Sequence, residues 1–181
     1  MKLPSTLPAD HYTKSYCLDE LVRIKEELFE LQNVFYAAQK YALLVVLQGM
    51  DTAGKDGVVR HACNSMDPFG VSVKSFKEPT DQELRHDFLW RVYPHFPERG
   101  KIKIFNRSYY EDVLVPVVQS SINKQEVKRR YALINTLEEH LLASNTLIVK
   151  LFLHISQEEQ QQRIVERREL VRAAARASQR L

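Results

Sequence analysis

The apolar run ALLVVL, residues 42–47, leads straight into QGMDTAGKDG, residues 48–57. That junction restricts the fold more than any other part of the chain. Residues 43–47 read as a short strand buried on both faces, the kind found inside a parallel sheet. Gly49, Gly54 and Lys55 then stand at the spacing G-x-x-x-x-G-K, and a helix over 56–65 follows. In that order, strand, glycine loop and helix form a phosphate cradle. Loop N–H groups and the positive end of the helix point at an anion, and the lysine adds a mobile charge. Gly49 and Gly54 allow positive φ and close approach to phosphate oxygens, and Ala53, Asp56 and Gly57 are counted with the cradle. The competing reading is a tight strand-to-helix turn with a chance lysine.

Two acids set this loop apart. Asp51 lies in its bend, and Asp56 occupies the place where such loops put a Ser or Thr on magnesium. Carboxylates beside phosphate repel it unless a divalent cation sits between them. Asp51 is therefore the candidate magnesium ligand, while Asp56 either joins it or only favours the helix start.

The remaining chain alternates strands with helices. Apolar residues at three- and four-residue steps predict a helix over 18–42. Further strands are expected over 71–76, 101–105 and 146–153. Helices are expected over 80–92, opened by a Thr80/Glu83 capping box, over 123–142, and from a Ser156/Glu159 cap through Arg167. This is an α/β domain with a parallel sheet and helices on both faces. Residues 1–17 read as an arm with two prolines, 18–168 as the domain, and the Ala- and Arg-rich 169–181 as a divergent tail.

In open α/β sheets ligands collect at the carboxyl ends of the strands, which brings two more segments to the glycine loop. One is FNRSYYED, residues 105–112. There Asn106 can bond the metal or a phosphate-bound water, and Arg107 can neutralise charge on a transferred phosphoryl group. Glu111 and Asp112 add acid. The other is FKEPTDQELRHDFLWR, residues 76–91, where Lys77 ends a strand. Asp87 and Arg91 fit a surface ion pair four residues apart, and His86 with Trp90 fits core packing.

Together VLQGMDTAGKDG, SFKEPTDQELRHDFLWR, IFNRSYYEDVLV and LFLHISQEEQQQR resemble the polyphosphate kinase 2 family, in order and spacing, over residues 27–167. The resemblance implies a P-loop kinase fold and phosphoryl transfer between inorganic polyphosphate and a nucleotide, with magnesium. It implies that Asp51 holds the metal, that Lys55 holds phosphates and that Arg107 acts on the transferred group. Asn106 stands where many members carry a metal-binding Asp. Asn occurs there in the branch associated with phosphorylating nucleoside mono- and diphosphates, so AMP, ADP/ATP or guanine equivalents are the nucleotides in view.

Arg163 and Arg167 fit the start of the family's lid and are candidates for the donor chain, against a plain Glu159–Arg163 helix-surface pair. The resemblance stops at Arg168, before the family's lid and fifth strand. About four strands are expected here, with reduced turnover or binding alone. An ATP-dependent nucleoside monophosphate kinase is the third reading.

Bulk properties agree with one soluble domain. The chain has 181 residues, a formal net charge of +3 and two cysteines without metal or redox spacing. That composition calls for neither nucleic acid nor membrane, and it suggests a cytoplasmic protein with reduced thiols. The long apolar stretch 146–153 suggests a homo-oligomer.

Overall fold

The computed structural model describes residues 13–178. Most of the expected arm lies outside them, and residues 14–17 are already helical. Helix α1 spans Lys14–Ala38, with the Thr13 hydroxyl accepting from the Tyr16 N–H at 3.2 Å. Strand β1 (Ala42–Gly49) runs into the glycine loop, and α2 (Lys55–Cys63) follows. Then come β2 (Val71–Ser75), β3 (Ile102–Asn106), α3 (Glu111–Val118), α4 (Lys124–Ala143), β4 (Thr146–Leu153) and α5 (Gln157–Ser178). The Ala/Arg-rich stretch expected to diverge continues α5 to Ser178, as the high helix propensity of both residues favours.

The described strands form one parallel sheet in the order β2-β3-β1-β4. Side chains alternate across it. Leu44, Val46 and Phe105 pack on one face with Val113 of α3 and Ile134, Leu137 and Leu141 of α4. Leu47, Ile102 and Ile104 pack on the other with Phe35 of α1 and Val59 of α2. Leu44 is fully buried, so truncating it to Ala would cost about 2–5 kcal/mol. The chain leaves adjacent β1 and β3 toward opposite faces, through α2 and through α3–α4. That reversal opens a crevice at their carboxyl ends.

Three expectations for residues 80–92 fail. The helix expected over 80–92 is absent. Its capping box closes, with Thr80 N–H donating to Glu83 Oε2 at 2.8 Å and Glu83 N–H to Thr80 Oγ1 at 3.3 Å. However, only 3-10 turns at Glu83–Arg85 and Tyr93–His95 form. The Asp87 carboxylate takes the Leu89 N–H at 3.0 Å, a local bond that competes with the helix ladder. Arg91 is not a surface partner of Asp87 either: it is buried, 6% exposed. His86 and Trp90 do stack, at 4.0 Å and 11°, but on the surface, with Trp90 38% exposed.

Helix α3 itself was not expected from EDVLVPVV, which carries β-branched residues and Pro116. Pro116 cannot donate to the Asp112 carbonyl four residues back. The Arg130 guanidinium of α4 donates to that oxygen instead, at 2.5 Å.

Candidate active site

The glycine loop is shaped by two contacts. A Cβ on Gly49 would lie 2.7 Å from the Leu153 carbonyl oxygen of neighbouring β4, so no larger residue fits without moving backbone. Gly54 caps α2 at φ 96°, in the left-handed region that favours glycine. Between them Thr52 also takes a left-handed φ of 62°. Gly57 differs: it sits inside α2, and a Cβ there would meet nothing within 4 Å.

Lys55 is the first residue of α2 and is only 8% exposed, rather than an open loop side chain. Its ammonium donates to Gly49 O at 2.7 Å and Met50 O at 2.9 Å. Burial holds its pKa below the ordinary lysine value, and the Arg107 charge adds to that, while Asp51, Glu111 and Asp56 pull it back up.

A cleft of about 610 Å³ opens above the loop. Asp51 through Asp56 form its floor, Ser75, Phe76 and Lys77 one wall, Asn106 and Arg107 another, and Arg163 and Arg167 of α5 a third. Arg107 takes a left-handed φ of 63° and donates its N–H to Leu47 O at 3.0 Å. Its guanidinium faces the Asp51 carboxylate at 3.6 Å. Asn106 turns its amide N–H to Asp56 Oδ1 at 2.6 Å.

Gly49, Gly57 and Glu111 do not line the cleft. Glu111 opens α3, and Gln48 fits between it and Ser108: its amide nitrogen lies 3.0 Å from Glu111 Oε1 and its oxygen 2.9 Å from Ser108 Oγ. Arg163 makes the Glu159 pair at 2.6 Å and also donates to Thr52 O at 3.3 Å. The helix-surface pair therefore forms, and the same guanidinium also reaches the glycine loop.

Three supports went unread in the sequence. Gln160 donates from α5 to Asp51 O at 3.2 Å. Arg91 donates to Lys77 O at 2.7 Å, pairs with Glu83 at 3.4 Å and faces Asp112 at 3.9 Å. Burial pushes the Asp112 carboxyl up, against the pull of Arg91 and Arg130. Finally, Glu138 of α4 accepts from Tyr109 OH at 2.8 Å, Tyr110 OH at 2.9 Å and Lys150 Nζ at 2.6 Å. These anchors fix the segment that carries Asn106 and Arg107. A Tyr–Tyr pair next to an Asn-Arg motif, with an acid on the following long helix, is the only signal the sequence offered for them.

Hard oxygen donors at the cleft fit magnesium, which binds through one or two carboxylates and completes its shell with phosphate and water. The Asp51 carboxylate is open to solvent, and Asn106, which also lines the cleft, has an amide oxygen that could serve as a second donor. Among the described residues no three His, Cys, Asp or Glu converge into a cage.

A glycine loop joining a central parallel strand to the next helix, ringed by lysine and arginines, defines a P-loop kinase-like α/β domain. The family model described as Polyphosphate kinase 2 matches residues 11–172, wider at both ends than the motifs alone. An ADP-polyphosphate phosphotransferase of Rhodopseudomonas palustris is 46% identical over 82% of this chain and 56% of its own length. An AMP/ADP-polyphosphate phosphotransferase of Meiothermus ruber is 46% identical over 85% of this chain and 58% of its own. The crystal structure of Polyphosphate Kinase 2 from Arthrobacter aurescens superposes with a TM-score of 0.85 at 42% identity, covering 87% of this chain and 57% of that one. The chain belongs to the polyphosphate kinase 2 family, and it spans a little over half the length of these relatives.

Proposed function

We propose that the cleft transfers a phosphoryl group between inorganic polyphosphate and a nucleoside mono- or diphosphate, with magnesium. One observation carries this reading. Lys55, Lys77, Arg107, Arg163 and Arg167 converge on one glycine-loop cleft that also presents Asp51, in a chain whose relatives are named for this transfer.

Phosphoryl transfer asks for alignment and charge neutralisation more than covalent help. The loop N–H groups and the Lys55 ammonium hold the phosphates, with Ala53, Gly54 and Asp56 shaping the cradle and Gly49 and Gly57 leaving it room. Arg107 leaves Asp51 and meets the equatorial oxygens of the group in flight. Lys77, Arg163 and Arg167 hold the donor chain. Glu111 acts from behind the loop, through its charge on Lys55. Magnesium, held by Asp51 and Asn106, would neutralise charge on the phosphate oxygens.

A cytoplasmic location, where nucleotides are plentiful, and a homo-oligomeric state belong to the same proposal. Among the described residues no helix is long and apolar enough to cross a membrane. The test is incubation with magnesium and either polyphosphate plus ADP or AMP, or ATP plus AMP. ATP from ADP, or ADP from AMP, with polyphosphate as donor supports the proposal. Binding without turnover, or transfer from ATP alone, overturns it.

A further inference from the structure

A second group of cations shares Phe76 with the cleft but takes no part in it. Ser72 and Lys103 are register partners on β2 and β3, and Lys74 is the partner of Phe105. Side-chain alternation puts all four on one face of the sheet. Lys103 Nζ donates to Ser72 Oγ at 3.0 Å. Lys74 Nζ lies 5.7 Å from the centroid of the Phe76 ring, and the His95 ring stands edge-on to the same ring at 6.2 Å.

Lys74, Lys103 and His95 are all partly buried. Among the described residues, neither lysine has a carboxylate within 4.0 Å. The acid that acts on this corner is Glu83, and it is already engaged by Thr80 N–H and Arg91. Burial and then the two lysine charges hold the His95 imidazolium below its ordinary pKa, with Glu83 opposing them, and burial and then Lys74 depress Lys103.

Like charges gathered in a partly desolvated corner repel one another unless an anion joins them. Two ammonium groups, the exposed Ser72 hydroxyl and an imidazole come from three elements at this corner, and several donors from different directions suit a phosphate group with its many acceptor oxygens. We propose that Lys74, Lys103, Ser72 and His95 form a second phosphoanion site, next to the transfer cleft across Phe76. Its occupant is a free phosphoanion or one unit of a polyphosphate chain whose end lies in the cleft. The site does not depend on the transfer reading.

The experiment follows the His95 ring protons by NMR across a pH titration of the full chain, alone, with pyrophosphate, and with long-chain polyphosphate. A bound anion stabilises the imidazolium, so the His95 midpoint should rise by about one pH unit. In Lys74→Gln/Lys103→Gln the ligand-free midpoint should already be higher, because the repulsion is gone, and the anion response should vanish. Lys74→Gln alone, at a strand edge, gives the same test with half the response if the double variant melts early.

Lys55→Met separates the sources. A pyrophosphate response that survives there marks a free phosphoanion. A response seen only with long polyphosphate, and lost in Lys55→Met, marks a chain anchored in the cleft. An unchanged His95 midpoint with both anions overturns the proposal, and so does a response that persists undiminished in the double variant. Absent transfer with a normal His95 response would sink the proposed reaction and leave this site standing.

Discussion

Lys55 Nζ donates to Gly49 O at 2.7 Å, tying the first residue of α2 to the last residue of β1. The same residue forms part of the floor of the cleft. Lys55→Met keeps the packed stem and removes the charge, so two loop carbonyls lose their donor. Melting should report a loss of about 1–2 kcal/mol, while transfer falls at least about 100-fold. The lowered Lys55 pKa adds a pH signature. Anion affinity is complete while the ammonium is charged and declines as pH rises through that lowered value, below the ordinary lysine range. Lys55→Met should lack this part of the decline in a calorimetric titration with tripolyphosphate.

In the proposed site the Asp51 carboxylate, which faces Arg107 at 3.6 Å, also holds magnesium. Asp51→Asn relieves repulsion with the anion and frees Arg107, but it takes away a metal ligand. Magnesium-dependent transfer should fall about 10-fold or more, with polyphosphate binding unchanged or tighter. Identical magnesium titrations of parent and variant would mean that Asp51 serves no metal.

Arg91 is the buried clasp between the segment carrying Lys77 and the segment carrying Arg107. Arg91→Ala leaves the buried Asp112 carboxylate without its partner, a loss of about 3 kcal/mol. The Asp112 pKa should rise further. Since the folded state would then hold that proton more tightly, the variant's deficit should grow as pH climbs from the parent's already raised Asp112 value to the variant's still higher one. Melting at pH 4 and pH 7 checks this, with the larger deficit expected at pH 7.

Strand β4 pairs with β1 on one side, and among the described residues no strand pairs with its other side. Its side chains Leu147, Val149, Leu151 and Phe152 are about half exposed. A long apolar edge invites pairing, so this 181-residue chain should self-associate at micromolar concentration in light scattering. A monomer with slow hydrogen exchange over 146–153 would contradict this.

What was legible in the sequence was local. Leu43 to Lys55 could be read almost residue by residue, because a continuous apolar run and a glycine loop specify a buried strand and the turn after it. Asn123 and Ser156 betrayed helix starts through their side-chain bonds to the third residue on. The carboxyl-end rule brought Lys77, Asn106 and Arg107 to one cleft. The segment around Arg91 misled because its partners, Lys77 O and Asp112, lie far from any helical spacing. Helix α3 escaped notice because the group that satisfies its proline-orphaned carbonyl, Arg130, is 18 residues away. Glu138 binds Tyr109 and Tyr110 across 29 and 28 residues, a relationship no periodicity encodes.

The transfer itself is tested most directly by phosphorus NMR of the parent protein with ADP, magnesium and long-chain polyphosphate. Interior polyphosphate signal should be consumed as ATP γ-phosphate appears, one for one, and Lys55→Met should stop both together. ATP formed without loss of polyphosphate, with AMP accumulating beside it, would mean that ADP itself is the donor and would contradict the account.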